Sequence, residues 1–274
     1  MFESIGRSIE LFRTSWGILM QDKKLLVFPL LSGIISIIVL ATFIIPLIIG
    51  GIFGDIVFYA ALFAFYLVSY FVVIFFNTAL VSCVNARLHG SEMSVGEGLK
   101  NALNHFTSIL GWALVSATVG ILLQLLREKG GAIGKIAASL VGGAWGLVTF
   151  FVVPVLVLED KGVFDAIRES TTLIKKTWGE TIIGSGSIML VFVIIGIIGL
   201  VATLATLLLG NLTIFGIALV LFIGLVIVLS VVASAMQGIF VTALYTYAKT
   251  GTVPSAFRQD LIQNAFVPTK QPGL

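Results

Sequence analysis

Residues 212–248 read LTIFGIALVLFIGLVIVLSVVASAMQGIFVTALYTYA, and no Asp, Glu, Lys or Arg interrupts them. A charge at the centre of a bilayer costs about 2.5–3.5 kcal/mol on insertion scales. Roughly 20 apolar residues in a helix cross a hydrocarbon core about 30 Å thick. Inside lipid every backbone N–H and C=O must find its partner within the segment, so a lone crossing stretch is a helix and not a strand. The same reading applies to Leu25–Phe53, Ile56–Val84, Phe106–Leu126, Ile136–Leu158 and Thr181–Gly210, and every charged residue falls outside these six stretches. The predicted fold is therefore all-α: a polytopic transmembrane helical bundle of about six spans.

Composition agrees. The chain has 274 residues, 58% hydrophobic and only 11% charged, against about 25% charged in soluble domains. So few charges cannot clothe a water-facing surface. Residues 1–274 read as a single integral membrane domain, with 251–274 as a cytoplasmic tail. The formal net charge of +3 is small, and no basic run with interleaved aromatics suggests nucleic acid. The one cysteine, Cys83, excludes an intrachain disulfide and reads as a small buried hydrophobe. The start does not read as a cleavable signal peptide, because Glu3, Glu10 and Asp22 interrupt it and the apolar run after them is too long.

Amphipathic segments stand beside the spans. Phe2, Ile5, Ile9, Phe12, Trp16 and Leu19 recur at three- and four-residue steps, one face of a helix. Such a helix lies in the membrane interface or packs on the bundle end. Phe164, Ile167, Thr171, Ile174 and Trp178 form a second face, and Phe257, Leu261 and Ala265 a third. Ser94-Val95-Gly96-Glu97 has the spacing of a capping box at the start of another helix. Residues 11–17, LFRTSWG, align with residues 173–179, LIKKTWG, each just before a hairpin of spans; Gly111-Trp112 is a weaker match. The chain thus divides into parallel repeat units near 1–90, 91–160 and 161–250, a common device in membrane transporters.

Small residues recur every four positions at Gly130, Gly134, Ala138, Gly142 and Gly146, and at Ser230, Ser234, Gly238 and Thr242. Such stripes let helix backbones approach closely where lipid supplies no hydrophobic force between helices. They serve packing within the chain or a contact between copies in a homo-oligomer. Pro29, Pro46 and Pro154 are expected to kink their spans.

Catalytic constellations are not apparent. His89 and His105 alone make a weak metal site, and no HExxH or GxSxG occurs. Gly134-Lys135 lacks the Ser or Thr and the glycine spacing of a P-loop. Asn211-Leu212-Thr213 matches a glycosylation acceptor pressed against the membrane. The carboxylates Glu92, Glu97, Glu159, Asp160, Asp165 and Glu169 read as solvated loop charges. No ionisable group lies within a span, which argues against a proton-coupled pump. We therefore expect no enzyme, no cofactor and no metal. Polar side chains inside the spans remain: Asn77, Thr78, Gln124 and Gln237, with hydroxyls at Ser69, Ser116, Thr149, Thr203 and Thr206. These either hydrogen-bond between helices or line a path for a solute.

Three stretches carry a family resemblance: residues 11–31 (LFRTSWGILMQDKKLLVFPLL), 75–80 (FFNTAL) and 151–178 (FVVPVLVLEDKGVFDAIRESTTLIKKTW). The chain resembles, over nearly its whole length, an uncharacterised prokaryotic six-span family known only as a domain of unknown function. It is loosely similar to the membrane domains attached to some glycerophosphodiester phosphodiesterases and to a group of small inner-membrane proteins. The resemblance implies six spans in a prokaryotic cell membrane and implies no activity. Two functions stay open: an oligomeric channel or passive transporter for a small solute or ion, or a non-transporting scaffold that organises membrane lipids or partner proteins.

Orientation follows from Lys and Arg. Arg7, Arg13, Lys23, Lys24, Arg87, Lys100, Lys161, Arg168, Lys175, Lys176, Lys249, Arg258 and Lys270 share one side; Arg127, Lys129 and Lys135 hold the other. The richer side should be cytoplasmic and should carry both termini. With Cys83→Ser as background, Ile5→Cys and Asp260→Cys should resist an impermeant maleimide added outside intact cells. Efficient labelling at either position would refute the topology.

Overall fold

The computed structural model describes residues 2–50, 56–176 and 181–251. The tight turn expected at Gly54-Asp55, the second Trp-Gly pair at 178–179 and the helix expected around 257–265 lie outside them. The described residues hold helices and no strand. In order these are α1 (Phe2–Gln21), a 3-10 turn (Lys23–Leu26), α2 (Val27–Gly50), α3 (Ile56–Leu88), α4 (Val95–Asn104), α5 (Phe106–Lys129), α6 (Gly131–Val148), α7 (Val152–Leu158), α8 (Val163–Lys176), α9 (Thr181–Ala205), a second 3-10 turn (Thr206–Leu209) and α10 (Leu212–Thr250). Six helical stretches are long and apolar enough to cross a membrane, the fourth made of α6 and α7 together. The chain is a membrane-spanning protein.

The helices pack as two compact units, Met1–Pro29 with Thr177–Leu274, and Leu30–Lys176. In the first, α1 and the 3-10 turn after it pack on α10, and α1 and α10 both pack on α9. Its buried side chains are Ile18, Leu19, Leu25 and Phe28, and then Ala235, Met236, Ile239, Phe240, Ala243 and Leu244 of α10. In the second, α3 packs on α4, α5 and α7, and α8 on α5, α6 and α7. Its core runs through Ala79–Val81 and Val84, Ile109 and Ala113, Phe151–Val152, Val155–Leu156, Ala166 and Leu173. In each unit the dense core sits where the spans meet the lysine- and arginine-rich loops. The opposite halves show lipid-type surface: Ile49 is 81% exposed and Leu208 90%.

Helix length explains this placement. At about 1.5 Å per residue, α3 and α10 are roughly 50 and 58 Å long if straight, well beyond a core of about 30 Å. Their last turns overhang the hydrocarbon. There, where headgroups and water begin, each can bury side chains against short amphipathic helices. Thr78-Ala79-Leu80 of α3 and Thr242-Ala243-Leu244 of α10 occupy matching places in this overhang, and all six are buried.

Local signals behave as their chemistry dictates. The Ser94 hydroxyl accepts from the Glu97 N–H (3.2 Å) while the Glu97 carboxylate accepts from the Ser94 N–H (2.7 Å), the expected capping box. Between α9 and α10, Gly210 takes φ +64°, and Asn211 caps α10 by accepting from the Thr213 and Ile214 N–H groups. The Asn211 side chain is thus used as a cap. Pro29 and Pro154 fall in the first turns of α2 and α7, where a missing N–H costs nothing; α2 runs on through Pro46. Phe12 stacks on Trp16 (6.4 Å), which is exposed. On α8 the face turned inward is Ala166, Ser170 and Leu173; Phe164, expected on that face, is 78% exposed.

One device has no local signal in the sequence. The fourth span breaks at residues 149–151, and Ser170 of α8 closes the gap. Its hydroxyl accepts from the Phe151 N–H (3.0 Å) and donates to the Val148 carbonyl (2.6 Å). The Val148 carbonyl loses its helical donor there, because the Val152 N–H turns to the Thr149 carbonyl instead. We expect Ser170→Ala to cost about 1–3 kcal/mol, the penalty for leaving such groups unpaired, read as a lower unfolding temperature in detergent. Unchanged stability would show that the break is satisfied some other way.

Candidate functional site

The overhanging end of α3 builds a polar surface in the second unit. After Leu88 the chain turns back through Gly90, at φ +77°, into α4, which lies against α3. Asn101 of α4 donates to the Ser82 hydroxyl (2.7 Å), which donates to the Thr78 carbonyl (2.9 Å), so a hydrogen-bonded chain clamps the two helices. Cys83 is buried, its thiol 3.7 Å from the Ser94 carbonyl. Between α3 and α4 opens a groove of about 340 Å³ whose walls include Glu92, Met93, Glu97, Lys100, Asn101 and Asn104. Arg87 pairs with Glu92 at 3.3 Å. Hydrogen bonds from the Ser94 backbone and side chain hold the Glu97 carboxyl below its ordinary range. The groove therefore offers carboxylates, an ammonium and two amides within a single-helix width.

A second charged cluster sits where α7 hands over to α8. Lys161 bridges Glu159 (2.8 Å) and Glu169 (3.2 Å), and these carboxylates, Glu159 foremost, hold its ammonium above the usual lysine range. Asp160 adopts φ +50° and faces His105 at 3.6 Å. His105 and His89 each turn Nδ1 onto a carbonyl of their own helix, Asn101 and Asn85, both at 2.8 Å. Among the described residues no three His, Cys, Asp or Glu gather as metal ligands would.

The polar residues expected within the spans have different local surroundings. Gln124 donates to Glu128 one turn along its own helix, at 2.8 Å. Thr78 is buried in the α3 core. Asn77 and Gln237 are half-buried; the first belongs to one unit and the second to the other. Hydroxyls mostly close on the carbonyl four residues back: Thr42, Thr118, Ser139, Thr149, Thr203, Ser230 and Thr242 all do so at 2.7–2.9 Å.

The small-residue stripes are uneven. Gly130 and Gly134 form the reversal from α5 to α6. A Cβ on Gly130 would stand 2.5 Å from the Gly134 Cα, and one on Gly134 would collide with the Leu126 carbonyl oxygen. Ala138 is fully buried. A Cβ on Gly142 would meet Leu123 at an ordinary 3.5 Å, and at Gly146 it would meet nothing. On α10, Ser230 and Ser234 are exposed whereas Gly238 and Thr242 are buried.

A model of the family of unknown function DUF6159 matches residues 56–255. The chain belongs to this family. The DUF6159 match covers the charged cluster, the α3–α4 groove and both stripes. No curated protein and no solved structure matches the chain, and the looser likeness to glycerophosphodiester phosphodiesterase membrane domains finds no support.

The stripe yields an ordered test. Gly134→Ala should destabilise the fold by about 1–3 kcal/mol through overpacking against backbone. Gly146→Ala should be neutral or stabilise slightly, because alanine favours the helix by about 1 kcal/mol. Unfolding temperatures of the two variants in detergent decide it; the reverse order would overturn the assignment of the tight approach to the α5–α6 reversal.

Proposed function

We propose that this DUF6159 member is a non-catalytic scaffold of the cytoplasmic membrane, with both termini inside and its working surface at the α3–α4 groove. The observation that carries the reading is the depth of the two strongest hydrogen-bonding side chains within the spans. Measured along an upright helix, Asn77 lies about 32 Å from the start of α3 and Gln237 about 38 Å from the start of α10. Those depths reach the headgroup layer, where water serves an amide. A transporter places its polar site near the midplane. The hydroxyls closed on their own helices support the same conclusion. Surrounding lipids, and a partner seated on the groove by its mixed charges and amides, are the natural ligands of such a platform.

A second reading, an oligomeric channel for a small solute or ion, draws on one observation. Asn77 and Gln237 form no hydrogen bond among the described residues, and a second copy of the chain would be one source of partners. Reconstituted liposomes separate the two. We expect no flux of small ions or neutral solutes above protein-free vesicles. Flux in the wild type that falls sharply in a folded, inserted Asn77→Leu variant would replace the scaffold with the channel. A photo-crosslinking residue at Asn104 in living cells should trap discrete adducts; a clean monomer band would remove the groove from the proposal.

A further inference from the structure

The second unit contains another cavity, of about 260 Å³, between α3, α5 and α6. It differs from the groove in depth. Along upright helices, Tyr70 lies about 21 Å from the start of α3 and Ser116 about 15 Å from the start of α5. Both depths are inside the hydrocarbon, where bulk water does not reach. Yet the walls carry hydrogen-bonding groups: the Tyr70 and Ser116 hydroxyls, the Trp112 and Trp145 indoles, and Thr149.

Their state of satisfaction is informative. The Thr149 hydroxyl already donates to the Trp145 carbonyl at 2.7 Å. Tyr70, Trp112, Ser116 and Trp145 form no side-chain hydrogen bond among the described residues. Ser116 is only 7% exposed and Trp112 6%. Ser15, elsewhere, is the one described residue whose side-chain oxygen is both unbonded and fully occluded. The Ser116 oxygen is unbonded but still open, and the open space beside it is the cavity. An unpaired polar group is costly in hydrocarbon, so a cavity lined at this depth by hydroxyl- and indole-bearing residues favours a ligand that can hydrogen-bond to them.

The wall chemistry defines that occupant. No charged side chain lines the cavity, so the ligand is neutral. Every one of these groups can donate, and the indoles can only donate, so a ligand that presents acceptor oxygens suits them all. The two indoles pack on each other, with ring centroids 5.8 Å apart and planes tilted by 31°, and together form an apolar wall of the space. A cavity of about 150 Å³ lined by apolar side chains holds one benzene ring, so this one has room for one or two. Glycine at 120 keeps the site open: a Cβ there would press on the Tyr70 hydroxyl at 3.2 Å and its ring at 3.5 Å.

We propose that this cavity binds a neutral, membrane-soluble ring compound bearing carbonyl oxygens, of the quinone class, with Tyr70 and Ser116 donating to the carbonyls and the packed Trp112–Trp145 pair forming the apolar wall against which the ring lies. The site is independent of the scaffold reading and holds whether or not a partner uses the groove.

The test uses the full chain in lipid nanodiscs, titrated with 2-methyl-1,4-naphthoquinone and with 2-methylnaphthalene, which has the same shape and no acceptor. Binding is read by saturable quenching of tryptophan emission and by the shift in unfolding temperature. In the wild type the quinone should bind at least ten-fold tighter than the hydrocarbon. In the Tyr70→Phe/Ser116→Ala variant, which keeps the shape and removes two donors, that preference should collapse to within about two-fold. Gly120→Leu should abolish saturable binding of both. Equal affinity of the two probes in the wild type would overturn the proposal in favour of an acyl-chain pocket. Quenching that never saturates, or is unchanged in both variants, would overturn it in favour of a hydrated void. A Gly120→Leu variant that fails to fold leaves the two-donor variant to decide.

Discussion

The structure depends on one constraint: in hydrocarbon a backbone group without a partner has no water to fall back on. Continuous helices meet it through most of the spans. Where the fourth span breaks at residues 149–151, short-range backbone bonds are joined by the Ser170 hydroxyl, reaching across from α8 to the Phe151 N–H and the Val148 carbonyl. That contact fixes α8 against the break, and with it the α7–α8 corner that carries Lys161, Glu159 and Glu169. The charged surface of the second unit is thus positioned by an obligation arising inside the membrane.

The same constraint sorts the polar side chains. Hydroxyls of Thr118, Ser139 and Thr149 are absorbed by their own helices. Asn77 and Gln237 stand where the long helices leave the hydrocarbon. The Tyr70–Ser116 cavity belongs to neither class, because its donors are deep and unbonded. The proposed scaffold surface in the overhang and the proposed ring-binding cavity in the hydrocarbon occupy separate layers of the second unit, and α3 contributes to both.

Features encoded by neighbours in sequence are legible without a structure. The six spans follow from the exclusion of charge, the Ser94–Glu97 box from a spacing of three, and the α9–α10 reversal from Gly210-Asn211. Gln124 is bonded in the same local way, to Glu128 one turn along, although the sequence reading expects a partner on another helix or a place on a solute path. What escapes is set by tertiary contact. Ser170 looks like any serine on an amphipathic helix until the break it serves is seen 22 residues earlier. The inward face of α8 is displaced from the most hydrophobic stripe, leaving Phe164 outside, because the face that packs must carry that serine and the small Ala166. The small-residue stripe on α6 reads as uniform, yet only Gly130 and Gly134 meet backbone at short range. The cavity requires three helices at once.

The length of α3 and α10 has a consequence for where the protein is at home. Each exceeds the thickness of an average bilayer by many residues, and a helix longer than its membrane tilts, bends or thickens the lipid around it at a modest cost per ångström. In α10 much of the excess lies in Ala235–Thr246, which packs within the first unit, so tilting α10 would carry that packed layer along with it. Thin and thick membranes are therefore not equivalent environments for this chain. Lipids of matching chain length should gather around it, and the molecule becomes a gauge of bilayer thickness as well as an occupant of it.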